Sequence, residues 1–201
     1  MSIMETPHES AKRTPMNRAE FTAAPTTTTT RTAGKLIAVL RIAMGLLFGW
    51  AFLDKLFGLG YATTSTNAWI NGGSPTKGFL SGVDHGPFQT MFTNWAGQTW
   101  ADWLFMLGLA AISAALLAGI GLRITAVAGT LMLLLMWAAD WPPARHTSTG
   151  ELTRSTNPIL DDHIIYALIL ITLAALSAGA VWGLGTRWAN LDIVRRNRWL
   201  I

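Results

Sequence analysis

The sequence predicts an all-α membrane protein in which four hydrophobic spans form a four-helix transmembrane bundle. Of the 201 residues, 51% are hydrophobic and only 13% are charged, whereas about 25% of the residues are charged in an average soluble domain. The apolar residues are also grouped into long blocks, and a helix needs about 20 mostly apolar residues to cross a bilayer. The predicted spans cover residues 36–57, 103–122, 124–141 and 164–185.

Glycine and proline residues mark the ends of these spans. Gly119 and Gly121 indicate a tight hairpin between the second and third spans. Pro142 and Pro143 are expected to stop the third helix, and Pro158 precedes the fourth. Proline has no amide hydrogen to donate, so it is typical of helix boundaries and rare in helix interiors.

The rest of the chain divides into two tails and a long connection. Residues 1–34, with a run of threonines and no apolar period, are predicted to form a disordered tail. Residues 35–186 form the predicted membrane domain, and residues 187–201 a basic tail.

The connection between the first and second spans is predicted to be a long extracytoplasmic cap. Residues 58–100 are rich in glycine, serine and threonine and also contain many aromatic residues. Aromatic side chains favour the headgroup level of a membrane, where an apolar body and a polar edge are both satisfied. We expect short helices within this cap around residues 67–70 and 87–94.

Basic residues set the predicted orientation. Most of the 15 lysine and arginine residues fall on the side that contains both termini, so the positive-inside rule predicts cytoplasmic N and C termini and a multi-pass protein of the plasma membrane. These residues flank the apolar blocks and do not form a groove-binding patch, so no nucleic-acid partner is expected. Acidic residues concentrate on the opposite, outer side.

Several cofactor classes are excluded or lack a signal. The absence of cysteine excludes disulfides, thiolate metal sites and iron–sulfur clusters. A pair of histidines in two facing spans could ligate haem, but only His163 lies near a span. Asp161, Asp162 and His163 could hold a metal ion, but their pattern is not specific for one. No metal, haem or flavin is predicted.

Ionisable residues gather at the predicted outer ends of three spans, where charged groups are costly unless they pair or meet water. We predict a site there that binds a small ligand or a quinone head group. The alternatives are helix capping by Asp161 or Asp162 and a polar network that locks the helix ends to the cap. The candidate catalytic residues are Lys55, His163 and Asp162, and the candidate ligand-binding residues are Asp54, Asp140, Asp161 and Tyr166.

Arg41 lies in the first turns of the first span and is a further candidate ligand-binding residue. It would provide an anion or partner site in the bundle, or its side chain would extend to the inner headgroups. Gly45 and Gly49 form a GxxxG pair on the same span, which helix packing alone explains.

Three segments resemble the DoxX/DoxD family of four-helix membrane proteins. They are LRIAMGLLFGWAFLDKLFG, with Arg41, Gly45, Phe48 and Lys55, then NAWINGGSPTKGFL, and later NPILDDHIIYALILI. The resemblance covers residues 36–186. It implies a membrane subunit associated with thiosulfate:quinone oxidoreductase or a related redox system, working with a second subunit.

Two functions therefore remain open. The first is a membrane subunit of a quinone-linked redox system that oxidises a sulfur compound such as thiosulfate, although a net negative outer half would repel that dianion. The second is a non-catalytic scaffold that anchors a soluble redox or stress-defence enzyme at the membrane. The expected partners are the lipid bilayer, a quinone, and a second redox subunit or soluble enzyme.

Overall fold

The computed structural model describes residues 27–200, with side chains from residue 31 onward, and this part of the chain contains no β-strand. An isolated bridge joins His146 and Leu152. The α-helices are α1 (Thr27–Phe57), α2 (Lys77–Leu80), α3 (Gln89–Trp95), α4 (Thr99–Ala118), α5 (Leu122–Asp140), α6 (Asp162–Ala175), α7 (Gly185–Ala189) and α8 (Asp192–Arg196). Short 3-10 helices cover Ser65–Asn67, Trp69–Asn71, Ala178–Ala180 and Arg198–Leu200.

Within residues 27–200, three helices are long and apolar enough to cross a membrane. They are α1 over Arg31–Phe57, α4 and α5. Each has the length of about 20 residues that a bilayer core requires. The predicted all-helical class is confirmed for the described residues, and these three helices agree with an α-helical membrane protein.

The helix of the fourth predicted span is shorter than residues 164–185. Helix α6 has 14 residues and is therefore about 21 Å long at 1.5 Å per residue. Beyond it, Ser177 adopts a left-handed backbone with φ of 48°, and a 3-10 turn follows. A side chain at Gly179 would overlap the carbonyl oxygen of Gly119, so this segment packs closely on the end of α4.

The start of the first span also differs from the prediction. Helix α1 begins at Thr27, nine positions before the predicted start, so residues 27–34 of the predicted disordered tail are helical. Threonine is a modest helix former, and these residues continue the helix of the apolar block that follows them. Residues 1–26 of the predicted tail lie outside the described residues, as does residue 201.

The helices pack in neighbouring pairs around a common apolar core. Helix α1 packs on α4, α4 on α5, and α5 on α6. The GxxxG pair brings α1 close to α4: a Cβ at Gly45 would lie 2.9 Å from the Leu117 side chain, and the Ser113 hydroxyl donates to the Gly45 carbonyl at 2.8 Å. Packing therefore accounts for this motif.

The predicted hairpin and proline boundaries are confirmed. Gly119, with φ of 71°, ends α4, and its amide and that of Ile120 donate to the Ala115 carbonyl. Such left-handed glycines satisfy the free carbonyls at a helix C-terminus. Gly121 also has a positive φ, of 58°, and immediately precedes α5. Helix α5 ends two residues before Pro142.

The segment 58–100 is ordered and contains the short helices that the sequence predicted. It includes the 3-10 helices Ser65–Asn67 and Trp69–Asn71 and the two α-helices α2 and α3. Buried Asp102, in the first turn of α4, holds it: the Asp102 Oδ1 atom accepts from the Thr76 amide at 3.0 Å, the Thr76 hydroxyl at 2.6 Å and the Ser74 hydroxyl at 2.9 Å. The segment is therefore fixed to the helix that follows it.

Candidate functional site

Four of the predicted site residues meet where α5 ends and α6 begins. We call this group the histidine–aspartate cluster; its members are Asp140, Asp161, Asp162 and His163. Asp140 is the last residue of α5, and Asp162 and His163 belong to the first turn of α6. The imidazole Nδ1 atom of His163 lies 2.8 Å from a carboxylate oxygen of Asp161, 3.6 Å from one of Asp162 and 4.0 Å from one of Asp140.

Burial within the histidine–aspartate cluster is graded. The side chains of His163 and Asp161 are 12% and 19% exposed, whereas those of Asp140 and Asp162 are 49% and 67% exposed. The imidazole and the Asp161 carboxylate are thus largely shielded, while the carboxylates of Asp140 and Asp162 are accessible.

Asp161 combines two roles that the sequence left as alternatives. Its Oδ1 atom accepts from the Ile164 amide at 3.1 Å, so it caps α6, and its Oδ2 atom faces His163. A carboxylate at a helix N-terminus also interacts favourably with the helix dipole. Capping therefore fixes the carboxylate that orients the imidazole.

His85 is a neighbour of the cluster that the sequence did not single out. Its Nε2 atom lies 2.9 Å from the main-chain oxygen of Asp140, and its Nδ1 atom lies 2.5 Å from a carboxylate oxygen of Asp84. The absence of a side chain at Gly86 permits this approach, because a Cβ there would lie 2.8 Å from the Trp141 side chain. No local motif marks His85, since its partner Asp140 lies 55 residues away along the chain.

Asp54 lies near the end of α1, and its hydrogen bonds do not involve the histidine–aspartate cluster. It is 2% exposed, and its carboxylate accepts from the amides of Tyr61 and Ala62 at 3.2 and 3.0 Å. Both amides belong to the loop that follows α1. Asp54 therefore holds its own loop, as the alternative of a polar locking network proposed.

Lys55 has a different environment from its neighbour Asp54. Its Nζ atom lies 5.9 Å from the centroid of the Phe105 ring, a cation–π distance. In the described part of the chain, no carboxylate lies within 4.0 Å of this atom. Tyr166 packs at the edge of the apolar core. Between residues 31 and 200, no hydrogen bond or ion pair joins Lys55 or Tyr166 to the histidine–aspartate cluster.

Arg41 lies near the other end of α1, about 20 Å from Asp54 at 1.5 Å per residue, and is fully buried. Its Nη1 atom donates to the carbonyls of Leu116 and Leu117, and its Nη2 atom to those of Val181 and Trp182 at 3.4 and 2.9 Å. The last carbonyls of a helix have no partner within it and favour a cation. Arg41 thus caps α4 from within the bundle, and its side chain does not extend to the headgroups.

An apolar groove that the sequence did not predict runs between α4 and α5 under α2 and α3. We call it the lateral groove; its volume is about 410 Å³. Leu104, Leu131 and Leu135 on its wall are 65%, 58% and 46% exposed, so it opens at the surface of the bundle. The small residues Ala101, Gly108 and Ala128 leave space for it. Its aromatic wall consists of Phe79, Phe92, Trp95, Trp100 and Phe105.

No protein-family model, curated protein or solved structure matches this chain. The resemblance to the DoxX/DoxD family therefore stays a prediction. The function has to be inferred from the lateral groove, from the residues at its edge and from the histidine–aspartate cluster.

Proposed function

We propose that the chain is a membrane subunit of a quinone-linked redox system and that the lateral groove holds the apolar part of the quinone. The groove carries this proposal because its size, lining and opening fit such a ligand. Its volume of about 410 Å³ falls within the range of about 300–1,000 Å³ typical of ligand sites. Its exposed leucines would face lipid, from which an isoprenoid chain enters directly.

Lys55 is the residue best placed to bind the polar head of the quinone. The Phe105 ring lines the groove and also lies under the Lys55 ammonium group. An ammonium group without a carboxylate partner is costly at membrane depth, and a quinone oxygen would accept a hydrogen bond from it. Reduction of the quinone by two electrons from a sulfur compound or a partner subunit would also take up two protons, which His163 and Asp162 would pass from the outer side.

The proposed topology follows from the same arrangement. Helix α6, closed by the segment 176–185 that packs on the end of α4, would provide the fourth crossing, and segment 58–100 would cover the extracytoplasmic end of the bundle. Both termini would then lie in the cytoplasm, beneath the plasma membrane. Because the chain has no native cysteine, single cysteines at positions 77 and 150 should react with an impermeant thiol reagent from outside, and one at 190 should not.

A non-catalytic scaffold is the second candidate, and one observation favours it. The buried charges of Arg41, Asp54 and Asp102 form hydrogen bonds within this chain, so they stabilise the fold and leave few free groups for chemistry. A scaffold would anchor a soluble redox or stress-defence enzyme, and a quinone would be unnecessary for it.

Purification from native membranes followed by mass spectrometry of bound lipids and proteins separates the two candidates. We expect wild-type protein to retain quinone and Ala128→Phe, which fills the lateral groove, to lose most of it. Val127→Phe is the matched control, because Val127 is 64% exposed and does not line the groove. Lys55→Ala should also lose quinone. A stoichiometric soluble partner without any bound quinone would instead support the scaffold.

A further inference from the structure

We propose that the histidine–aspartate cluster binds a divalent first-row transition-metal ion through His163, Asp161 and Asp140. This inference goes beyond the quinone proposal, because none of these residues lines the lateral groove. A metal ion on His163 would take the place of the proton-passing role proposed above for that residue. The ligands come from two helices whose ends meet, so the fold itself brings them together. The sequence showed part of the set but gave no specific metal pattern.

The positions of the donor atoms fit one ion. One imidazole nitrogen and two carboxylate oxygens all lie within 4.8 Å of one another. Two ligands that each lie about 2.1 Å from a metal are at most about 4.2 Å apart. A small rotation of the half-exposed Asp140 side chain would bring its carboxylate oxygen within this distance of the other donor atoms.

The charge of these same side chains agrees with a cation site. Three carboxylates surround one imidazole, and in the described part of the chain no lysine or arginine nitrogen lies within 4.0 Å of any of them. The nearby His85 pairs with its own carboxylate, Asp84. Grouped carboxylates beside partly buried groups repel one another unless a cation compensates them. A bound cation would reduce this repulsion most for Asp161, the least exposed of the three carboxylates.

The donor types identify the class of ion. Calcium and magnesium prefer sites built of oxygen atoms, whereas imidazole with carboxylate suits zinc, iron and other transition metals. The ring of His163 is positioned in advance, because the Asp161 carboxylate that contacts it is itself fixed by the Ile164 amide. Asp162, 3.6 Å from the imidazole, is available to the ion directly or through water.

Equilibrium binding of zinc chloride to the full-length protein in detergent tests the proposal, with an affinity tag that contains no histidine. We expect wild type to bind one ion per chain. His163→Ala and Asp140→Asn should each weaken binding by at least about tenfold, the scale of loss found when metal sites are altered. Asp140→Asn keeps the shape of the side chain and the cap of α6, so a folding defect would not explain its loss.

Two matched controls sharpen the result. His146→Ala removes an exposed histidine, and Asp84→Asn removes the carboxylate beside His85; both should bind zinc as wild type does. Absence of zinc binding, or zinc binding that survives His163→Ala, would contradict the proposal. Calcium that binds as tightly as zinc would contradict the assigned class of ion. Quinone retention is measured on the same preparations. Wild type that retains quinone but binds no zinc would contradict only the metal site, whereas wild type that binds zinc but retains no quinone would contradict only the quinone proposal.

Discussion

Arg41 and the histidine–aspartate cluster show two ways in which a membrane protein holds charge. The Arg41 guanidinium is fully buried and donates to main-chain carbonyls of its own chain. In the cluster, by contrast, three carboxylates share one imidazole and no lysine or arginine within residues 31–200 lies within salt-bridge distance. Four main-chain carbonyls thus account for the burial of Arg41, although its Nε atom has no hydrogen-bond partner within the described residues. Uncompensated charge at an accessible helix end is the better indicator of a ligand.

Removing Arg41 should have the largest effect on stability. Arg41→Ala leaves the α4 carbonyls and those of Val181 and Trp182 without their donor, and hydrogen bonds to charged groups contribute about 1.5–3 kcal/mol each. We expect the free energy of unfolding in detergent to fall by at least about 3 kcal/mol. Thermal unfolding followed by circular dichroism measures this loss.

Arg123 provides the matched control for that prediction. It also donates to a carbonyl, that of Arg198 at 3.0 Å, but its side chain is exposed. Arg123→Ala should change stability by less than about 0.5 kcal/mol, as surface substitutions usually do. Equal losses in the two variants would show that burial and hydrogen bonding do not distinguish the two arginines, and the comparison would then be wrong.

Asp54→Ala should have the next largest effect. The substitution leaves the amides of Tyr61 and Ala62 without their acceptor, and an unsatisfied polar group costs about 1–3 kcal/mol. Hydrogen exchange at these two amides should accelerate together with the loss of stability. Asp192→Ala, at an exposed position, serves as the control. Unchanged exchange at residues 61 and 62 would mean that Asp54 does not hold this loop.

The sequence predicted the helical class, the hairpin between α4 and α5 and the end of α5 well because these depend on local features. The conformation of a segment is set here by residues only a few positions away. Examples are the blocks of apolar residues, the glycines of the hairpin and the prolines after α5. The short helices of segment 58–100 were predictable for the same reason. Capping by Asp161 was also foreseen, since a carboxylate before an apolar helix is a local signal.

The parts that could not be predicted depend on contacts between distant residues. Arg41 bonds to carbonyls 75 and 141 positions away, so no spacing rule would reveal them. Beyond the end of α6, Gly179 packs on the distant Gly119, and the lateral groove arises where small residues of two helices face each other. Lys55, Asp54 and His163 were expected in one site because they share a depth, but depth does not determine which side chains touch.

The smallest predicted effect on stability, and the most direct test of the comparison, concerns Asp140→Asn in metal-free protein. If the cluster is a ligand site, neutralising one of its crowded carboxylates relieves repulsion and leaves the free energy of unfolding unchanged or raised by up to about 0.5 kcal/mol. If the cluster locks the helix ends together, the same change destabilises the protein. Adding zinc at about 100 times its dissociation constant should stabilise wild type by about 2.7 kcal/mol and the variant by clearly less. Thermal unfolding with and without zinc therefore distinguishes two cases. In one, the carboxylates repel one another until a cation binds; in the other, they form a polar network that stabilises the fold, as Arg41 does.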